Sequence, residues 1–158
     1  GVALDEGLTA LKNLHAQLDL ARCSSAVVTE QPGTGAAVAV EATSDFVGRD
    51  GALFVFSYRI RIVNMGTVPV QVIGRSWNIR NSDGSYHASV PRGSPGIVGQ
   101  TPRLMPGGDA FEYASGTTFE TPGGSVEGAL QMVSLLSDTE QSSFDAAVGR
   151  FECLLPES

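Results

Sequence analysis

The sequence predicts an all-β fold, an antiparallel β-sandwich that is preceded by one amphipathic helix. Three observations predict this fold. The apolar period changes near Ala37, from a helical spacing before it to an alternation of two after it. Seven or eight alternating runs follow, and turn residues such as Gly and Pro bound each of them. Trp77 lies on a central run, where its indole can fill the space between two sheets.

The first element is a helix over about residues 5 to 22, within an N-terminal segment 1–23. Leucines recur along it at steps of three and four residues: Leu4, Leu8, Leu11, Leu14 and Leu18. Acidic residues stand near its start and Arg22 near its end, which suits the helix dipole. This apolar stripe must be covered, either by the chain's own sandwich or by a partner protein. The candidate interaction residues are therefore Leu4, Leu8, Leu11 and Leu18.

A linker is expected over residues 24–35, because periodicity is lost there and Gln31-Pro32-Gly33-Thr34-Gly35 has the composition of a flexible connection. The sandwich domain is expected over residues 36–155. Its predicted strands are 38–40, 53–63, 68–79, 85–90, 110–119, 124–136 and 144–154.

Charge argues against general nucleic-acid binding. The formal net charge is −7, which would repel a phosphate backbone. The densest basic group is Arg59, Arg61, Arg75 and Arg80. Arg59 and Arg61 alternate with apolar residues, so this group is expected on a solvated strand face. No apolar run approaches the roughly 20 residues that a membrane-spanning helix needs.

The two cysteines, Cys23 and Cys153, are too few for a four-ligand zinc site, and neither lies in a C-x-x-C pair, so no metal is expected. Whether they pair in a disulfide stays open, because sequence alone cannot bring their Cα atoms within reach. The compartment also stays open. A first residue that is not Met fits a processed organellar chain, chloroplast or mitochondrial, and a truncated chain equally well.

One loop comes close to a phosphate-binding motif. The segment Gly93-Ser94-Pro95-Gly96-Ile97-Val98-Gly99 has the spacing G-x-x-G-x-x-G, whereas the dinucleotide fingerprint is G-x-G-x-x-G and opens a helix. No helix is predicted after it, and a turn whose glycines take positive φ explains the pattern. The candidates for phosphate contact are Arg92, Gly93, Gly96, Gly99 and Arg103, and no cofactor is assigned.

No catalytic constellation is found. The chain has two histidines, His15 and His87, and neither can be argued into a Ser-His-Asp arrangement. The scattered carboxylates are expected at solvent-facing strand or turn positions: Asp109, Glu112, Glu120, Glu127 and Asp145. No enzymatic activity is expected.

An ordered series of motifs carries a family resemblance. It runs from Tyr58-Arg59-Ile60-Arg61-Ile62-Val63-Asn64 through Gly66-Thr67-Val68-Pro69-Val70-Gln71 and Gly74-Arg75-Ser76-Trp77-Asn78-Ile79 to Gly96-Ile97-Val98-Gly99-Gln100-Thr101-Pro102, Leu104-Met105-Pro106-Gly107, Tyr113-Ala114-Ser115-Gly116, Thr121-Pro122-Gly123-Gly124-Ser125-Val126-Glu127-Gly128 and Met132-Val133. This series resembles the ApaG domain family over about residues 36 to 154.

The resemblance implies a fibronectin type III or immunoglobulin-like β-sandwich. It also implies a protein-binding module, since eukaryotic chains attach this domain to other modules, among them an F-box protein and the polymerase-delta-interacting protein. Bacterial members carry a G-x-G-x-x-G loop that matches Gly93, Gly96 and Gly99 here, but this chain has one extra residue, and Pro95 removes a backbone N–H. We expect a non-catalytic interaction module or accessory subunit of a larger assembly. The alternative is a protein that binds pyrophosphate or a nucleotide through this loop.

Overall fold

The structure is a computed structural model, and it describes residues 21–97 and 99–156. These residues form nine β-strands. Their bounds are β1 Ser24–Gln31, β2 Ala36–Asp50, β3 Leu53–Asn64, β4 Val70–Asn81, β5 Tyr86–Pro95, β6 Arg103–Leu104, β7 Phe111–Phe119, β8 Gly123–Leu135 and β9 Gln141–Leu154.

The strands form two antiparallel sheets. The first sheet has the order β1-β2-β3-β7, and the second has the order β5-β4-β8-β9, with β6 paired to β4. Consecutive strands that pair with each other are joined by short turns, and Gly33, Gly51 and Gly84 take positive φ in three of these turns. The predicted all-β antiparallel sandwich is confirmed. The predicted N-terminal helix lies almost entirely outside the described residues.

The core lies between the sheets because alternate residues of each strand point inward. Val38, Val40, Ile60 and Ile62 contribute from the first sheet and are fully buried. Trp77 from the second sheet is 3% exposed, and its ring centroid lies 5.9 Å from that of Tyr58. The predicted position of Trp77 between the sheets is confirmed.

Strand β1 occupies most of the segment for which the sequence predicts a linker. Its eight residues pair with β2 from Ser24 opposite Thr43 to Gln31 opposite Ala36. The turn residues that suggested a flexible connection belong to the β1–β2 hairpin, where Gly33 and Gly35 take φ of 81° and 82°. The sheet therefore begins at Ser24, twelve residues before the predicted domain start at 36.

The sandwich is closed along one side by contacts between β1 and β9. The Ser25 hydroxyl donates to the Gly149 carbonyl at 2.7 Å, and the Ala147 N–H donates to Thr29 Oγ1 at 3.0 Å. These bonds use polar groups that edge strands would otherwise leave open. The opposite side of the sandwich, where β5 and β7 lie, contains the candidate site.

Candidate functional site

The loop predicted as a phosphate cradle interrupts one continuous edge of the second sheet. Strands β5 and β6 both pair with β4, at Gly74 opposite Pro95 and at Val70 opposite Leu104. Between them, Gly96 donates its N–H to Ile73 O at 3.2 Å, and Val72 donates to Pro102 O at 2.9 Å. Residues 96–102 are thus an excursion from an edge strand, and the described residues show no helix after it.

Four backbone N–H groups of this loop, those of residues 93, 96, 97 and 100, donate to acceptors within the protein. The three candidate glycines, Gly93, Gly96 and Gly99, have φ of 83°, 62° and 76°, so they supply the left-handed turns that the sequence predicts. Gly93 N–H donates to Gln131 Oε1 at 3.0 Å, while Ile97 and Gln100 exchange N–H···O bonds of 2.6 and 2.8 Å. An anion would have to displace these bonds in order to bind here.

Arg75 forms hydrogen bonds to the same loop from the inner face of the second sheet. Its position opposite Leu130 on β8 puts it on the core-facing side of β4, and one guanidinium nitrogen donates to Pro95 O at 2.9 Å and Gly96 O at 3.0 Å. The solvated face predicted for Arg75 is therefore wrong, although Arg59, Arg61 and Arg80 are exposed as expected. Arg75 was grouped with Arg59 and Arg61 of β3, but it stands two residues before the buried Trp77, and the register between these two residues is unbroken on β8, so both lie on the inner face of β4.

The two arginines proposed for phosphate contact lie apart in the fold. Arg92, on β5, forms an ion pair with Asp145 of β9 across the outer surface of the second sheet. Arg103 is exposed on β6 and has no ion pair within the described part of the chain. The predicted acidic surface positions, Asp109, Glu112, Glu120, Glu127 and Asp145, are all exposed.

Strand β7 presents an open and regular edge. It pairs with β3 without a register shift, from Phe54 opposite Phe119 to Ile62 opposite Phe111. His87 Nε2 lies 2.7 Å from Thr118 O, so this carbonyl points away from β3. Because both backbone groups of an antiparallel residue point the same way and alternate along the strand, Glu112, Ala114 and Gly116 also direct their N–H and C=O groups outward.

A second observation fixes the same alternation. A Cβ built on Gly116 would lie 3.2 Å from Phe56 O, which places that carbonyl on the β7 side of β3. Phe56 is opposite Thr117, so residue 117 bonds to β3 and residues 116 and 118 face outward. Among the described residues, no backbone partner is found for the outward groups of residues 112, 114 and 116.

The other three sheet edges are protected. Strands β1 and β9 bond to each other through side chains, as described above. Strand β5 contains Pro91 and Pro95 and has two register shifts against β4. Prolines and bulges are the usual devices that prevent a further strand from pairing. Strand β7 has neither, and its central residues, Ala114-Ser115-Gly116, are small and exposed.

Behind this edge lies a hydroxyl group without a partner. Tyr113 is opposite the fully buried Ile60 and so points inward, and its Oη is buried with no hydrogen-bond partner. Burial raises the pKa of this phenol, as does Tyr58 to a lesser extent, whereas the charge of Arg75 lowers it. Tyr113 and Arg75 therefore lie near each other, behind the open side of the sandwich.

A cavity of about 100 Å³ opens elsewhere, beside Arg22, where β4 and β9 end and β8 begins. Its lining includes Arg150 and Glu152, which lie 3.9 Å apart, and Cys153. Asn81 also lines it, and Asn81 Oδ1 is buried without a hydrogen-bond partner.

Several sequence predictions are not tested by the described residues. The candidate interaction residues Leu4, Leu8, Leu11 and Leu18 lie outside them. Within residues 21–97 and 99–156, no cluster of three or more His, Cys, Asp or Glu side chains is arranged to hold a metal ion. No helix in that part of the chain is both long and apolar enough to span a membrane.

Sequence reasoning missed the β7 edge. The strand itself was predicted, but a strand's place at an edge depends on pairing with distant residues. One signal was present: the run Ala114-Ser115-Gly116 has no large side chain to cover the backbone.

Comparison with known proteins gives consistent matches. A family model described as the ApaG domain matches residues 48–134. Protein ApaG of Anaeromyxobacter dehalogenans (strain 2CP-1) is 37% identical over 134 residues, which cover 85% of this chain and 98% of the relative. Protein ApaG of Paramagnetospirillum magneticum is 43% identical over 98 residues, or 62% of this chain and 69% of the relative. A crystal structure of a Bordetella pertussis protein named ApaA superposes with a TM-score of 0.69 at 33% identity, covering 80% of this chain and all of that one.

Proposed function

The chain belongs to the ApaG domain family, and on that premise we propose that it is a non-catalytic protein-interaction module that binds an extended segment of a partner protein along β7. In this role it would serve as an accessory or structural subunit of a larger assembly. An organellar location for that assembly stays a prediction from the sequence, and the bacterial relatives do not bear on it.

The open edge of β7 is the observation that carries the proposal. Glu112, Ala114 and Gly116 offer three N–H donors and three C=O acceptors in the spacing that an added strand requires. Strand addition gains affinity from such main-chain bonds and specificity from pockets for alternate side chains. The small residues at 114–116 let a second backbone approach closely.

Charge on the outer face suggests which peptides would bind. Glu112 is held by Arg61 at 3.3 Å, whereas Arg59 forms no ion pair within the described part of the chain. Arg59 lies opposite Ala114, whose methyl group leaves the arginine free to extend toward an added strand. We expect the bound segment to carry an acidic side chain beside Ala114.

The variant Ala114→Pro tests the proposal. Proline removes one outward N–H but no bond to β3, so the fold should tolerate it at an edge position. Peptides selected from a random library against the native protein serve as probes. The affinity of such a peptide, measured by fluorescence anisotropy, should fall at least about tenfold in Ala114→Pro, since a net main-chain bond is lost and strand approach is obstructed.

Ala114→Ser is the matched control, because it changes the side chain but keeps the N–H, and its affinity should stay within about twofold of the native value. Amide exchange gives a second readout. Bound peptide should slow exchange at residues 112, 114 and 116, while residues 113 and 115 are protected in both states. Equal binding to both variants, or protection at the 96–102 loop instead, would refute the β7 site.

The accessory-subunit part of the proposal is tested on the endogenous protein. Its native size is measured by sedimentation, and co-migrating chains are identified by mass spectrometry. Co-migration with a defined set of proteins supports a subunit role. Sedimentation as a free monomer contradicts it.

The alternative, binding of pyrophosphate or a nucleotide at the Gly93–Gly99 loop, has less support. Gly93, Gly96, Ile97 and Gln100 donate their N–H groups within the protein, and Arg92 is paired with Asp145. Calorimetry with pyrophosphate and with ATP at millimolar concentration separates the two functions. Binding heat that disappears in Arg103→Met would favour the alternative, and the absence of heat would exclude it.

A further inference from the structure

The two cysteines, which are 130 positions apart in the sequence, meet at Ser44. Ser44 N–H donates to Cys23 O at 2.9 Å, which continues the β1–β2 ladder by one residue beyond Ser24 opposite Thr43. Cys23 is thus opposite Ser44, and directly opposed residues of an antiparallel pair have Cβ atoms about 5 Å apart on the same face. Ser44 is 6% exposed and faces the core.

Cys153 reaches the same serine from the second sheet. The Ser44 hydroxyl donates to Glu152 O at 2.6 Å, and Glu152 precedes Cys153 on β9. The Cys153 side chain is fully buried, and burial raises the pKa of its thiol to about 12. The Ser44 hydroxyl lowers this pKa and Cys23 raises it, which is consistent with all three side chains being close together.

The two thiols differ in access. Cys23 is half-buried, whereas Cys153 is enclosed, and no disulfide joins them in the structure. The cavity where β9 ends and β8 begins includes Cys153 in its lining, together with Arg22 and Arg150. Glu152 forms ion pairs with both of these arginines, with Arg22 at 2.6 Å and with Arg150 at 3.9 Å.

We propose that Cys23 and Cys153 form a thiol–disulfide site whose reactant is a small disulfide of the glutathione class, with the half-buried Cys23 as the thiol that reacts first. The Cys23 thiolate attacks one sulfur of oxidised glutathione, the S–S bond breaks, and one glutathione thiolate leaves. The Cys153 thiolate then attacks the Cys23 sulfur and releases the second glutathione. The two protein thiols lose two protons and two electrons, and one oxidised glutathione becomes two reduced ones.

The second step is the slow one. The thiolate is the attacking species, and a thiol with a pKa near 12 supplies little of it at neutral pH. A mixed disulfide at Cys23 therefore accumulates before the ring closes. Closure also requires the two Cα atoms to come within about 7 Å. The disulfide joins the residue that precedes β1 to β9 and so cross-links the closed side of the sandwich, opposite β7.

The experiment follows the mass of the whole reduced protein during incubation with oxidised glutathione, after rapid alkylation of unreacted thiols. The native protein should first gain one glutathionyl group. It should then lose that group and finish two hydrogens lighter than the reduced form, with the peptides of Cys23 and Cys153 cross-linked. The second phase should accelerate about tenfold for each pH unit below the Cys153 pKa.

Two variants separate the roles. Cys153→Ala should stop at the mixed disulfide, and Cys23→Ser should react at least about tenfold more slowly than the native protein, because only the buried thiol remains. If Cys153→Ala does not fold, the reaction rates of Cys23→Ser and the native protein still show which thiol reacts first with oxidised glutathione. The oxidised native protein should melt about 5 °C or more above the reduced form, because the cross-link restrains a long loop.

Three outcomes would overturn the proposal. The native protein could remain glutathionylated at all times, which would mean that the sulfurs cannot meet. Cys23→Ser could react as fast as the native protein, which would assign the first reaction to Cys153. Both thiols could stay reduced throughout, which would mean that neither is a site.

Discussion

Asn64 shows how one buried side chain can complete a turn. Its Nδ2 donates to Val68 O at 2.9 Å and to Leu104 O at 3.0 Å, and its Oδ1 accepts from Gly66 N–H at 2.9 Å. The side chain thus joins the β3–β4 turn to β6, at a position that is 5% exposed. Replacing it would leave three backbone groups without these partners.

We expect Asn64→Ala to lower the free energy of unfolding by about 2–4 kcal/mol, since unsatisfied buried groups carry the larger part of the cost. Urea unfolding followed by intrinsic fluorescence measures it. Asn78→Ala is the control, because Asn78 is exposed on β4, and its effect should stay within about 0.5 kcal/mol. Equal effects of the two substitutions would contradict the role of the Asn64 contacts.

Replacing Tyr113 should increase the free energy of unfolding, whereas replacing Asn64 should lower it. Its buried hydroxyl has no hydrogen-bond partner, so it lost its hydration on folding without compensation. Tyr113→Phe removes that cost and should raise the free energy of unfolding by about 0.5–2 kcal/mol, as measured by the same unfolding experiment. Tyr86→Phe, at an exposed tyrosine of β5, should be nearly neutral. A loss of stability in Tyr113→Phe would reveal a bonding partner for the hydroxyl.

At the scale of elements, the 96–102 excursion depends on Arg75. The guanidinium donates to Pro95 O at the end of β5 and to Gly96 O, the first carbonyl of the excursion, so it restrains the start of the loop by charge-assisted hydrogen bonds. In Arg75→Met we expect amides of this loop to exchange at least about tenfold faster, because each such bond contributes about 1.5–3 kcal/mol. Hydrogen exchange with mass spectrometry measures the rate.

Arg59→Met is the control for that experiment, since Arg59 is exposed on β3 and does not contact the loop carbonyls. Its loop amides should exchange at the native rate. Unchanged exchange in Arg75→Met would show that the bonds to β4 alone restrain the loop.

The strands were largely predictable because their signals are local. Alternation and turn residues located β3, β4, β7 and β8 to within two residues. Strand β1 was missed because its residues, of mixed polarity, show no alternation by themselves. Only pairing with β2 and contact with β9 bury one side of it.

The candidate site was predictable only in part. The glycine turns at 93, 96 and 99 and the exposed arginines followed from residue type. The hydrogen bonds that the loop N–H groups make to Gln131 and Gln100 could not be predicted. Gln131 lies on another strand, and Gln100 accepts only because the loop folds back on itself. The open edge of β7 likewise depends on sheet order.

At the scale of the whole molecule, stability should fall at alkaline pH. The Cys153 thiol ionises near 9.0 in the unfolded chain, but burial raises its pKa to about 12 in the folded protein. Above pH 9 the unfolded state therefore binds fewer protons than the folded state, so the free energy of unfolding decreases as pH rises. The buried Tyr113 phenol adds to the same trend at higher pH.

Urea midpoints between pH 8 and about 11, measured with reductant present, test this dependence. Cys153→Ala should show a shallower decline with pH than the native protein, whatever its absolute stability. Parallel curves for the two proteins would mean that the thiol is not shielded from ionisation.

The sequence by itself determined the all-β class, the identity of most strands, the burial of Trp77 and the family, because these depend on residue type and on periods that a strand carries within itself. The tertiary structure alone decided which edge is left open, which carbonyls Arg75 bonds, which loop amides are already bonded, and that Cys23 and Cys153 both lie beside Ser44. These features join residues up to 130 positions apart, and their contacts depend on strand order and register, which no local pattern specifies.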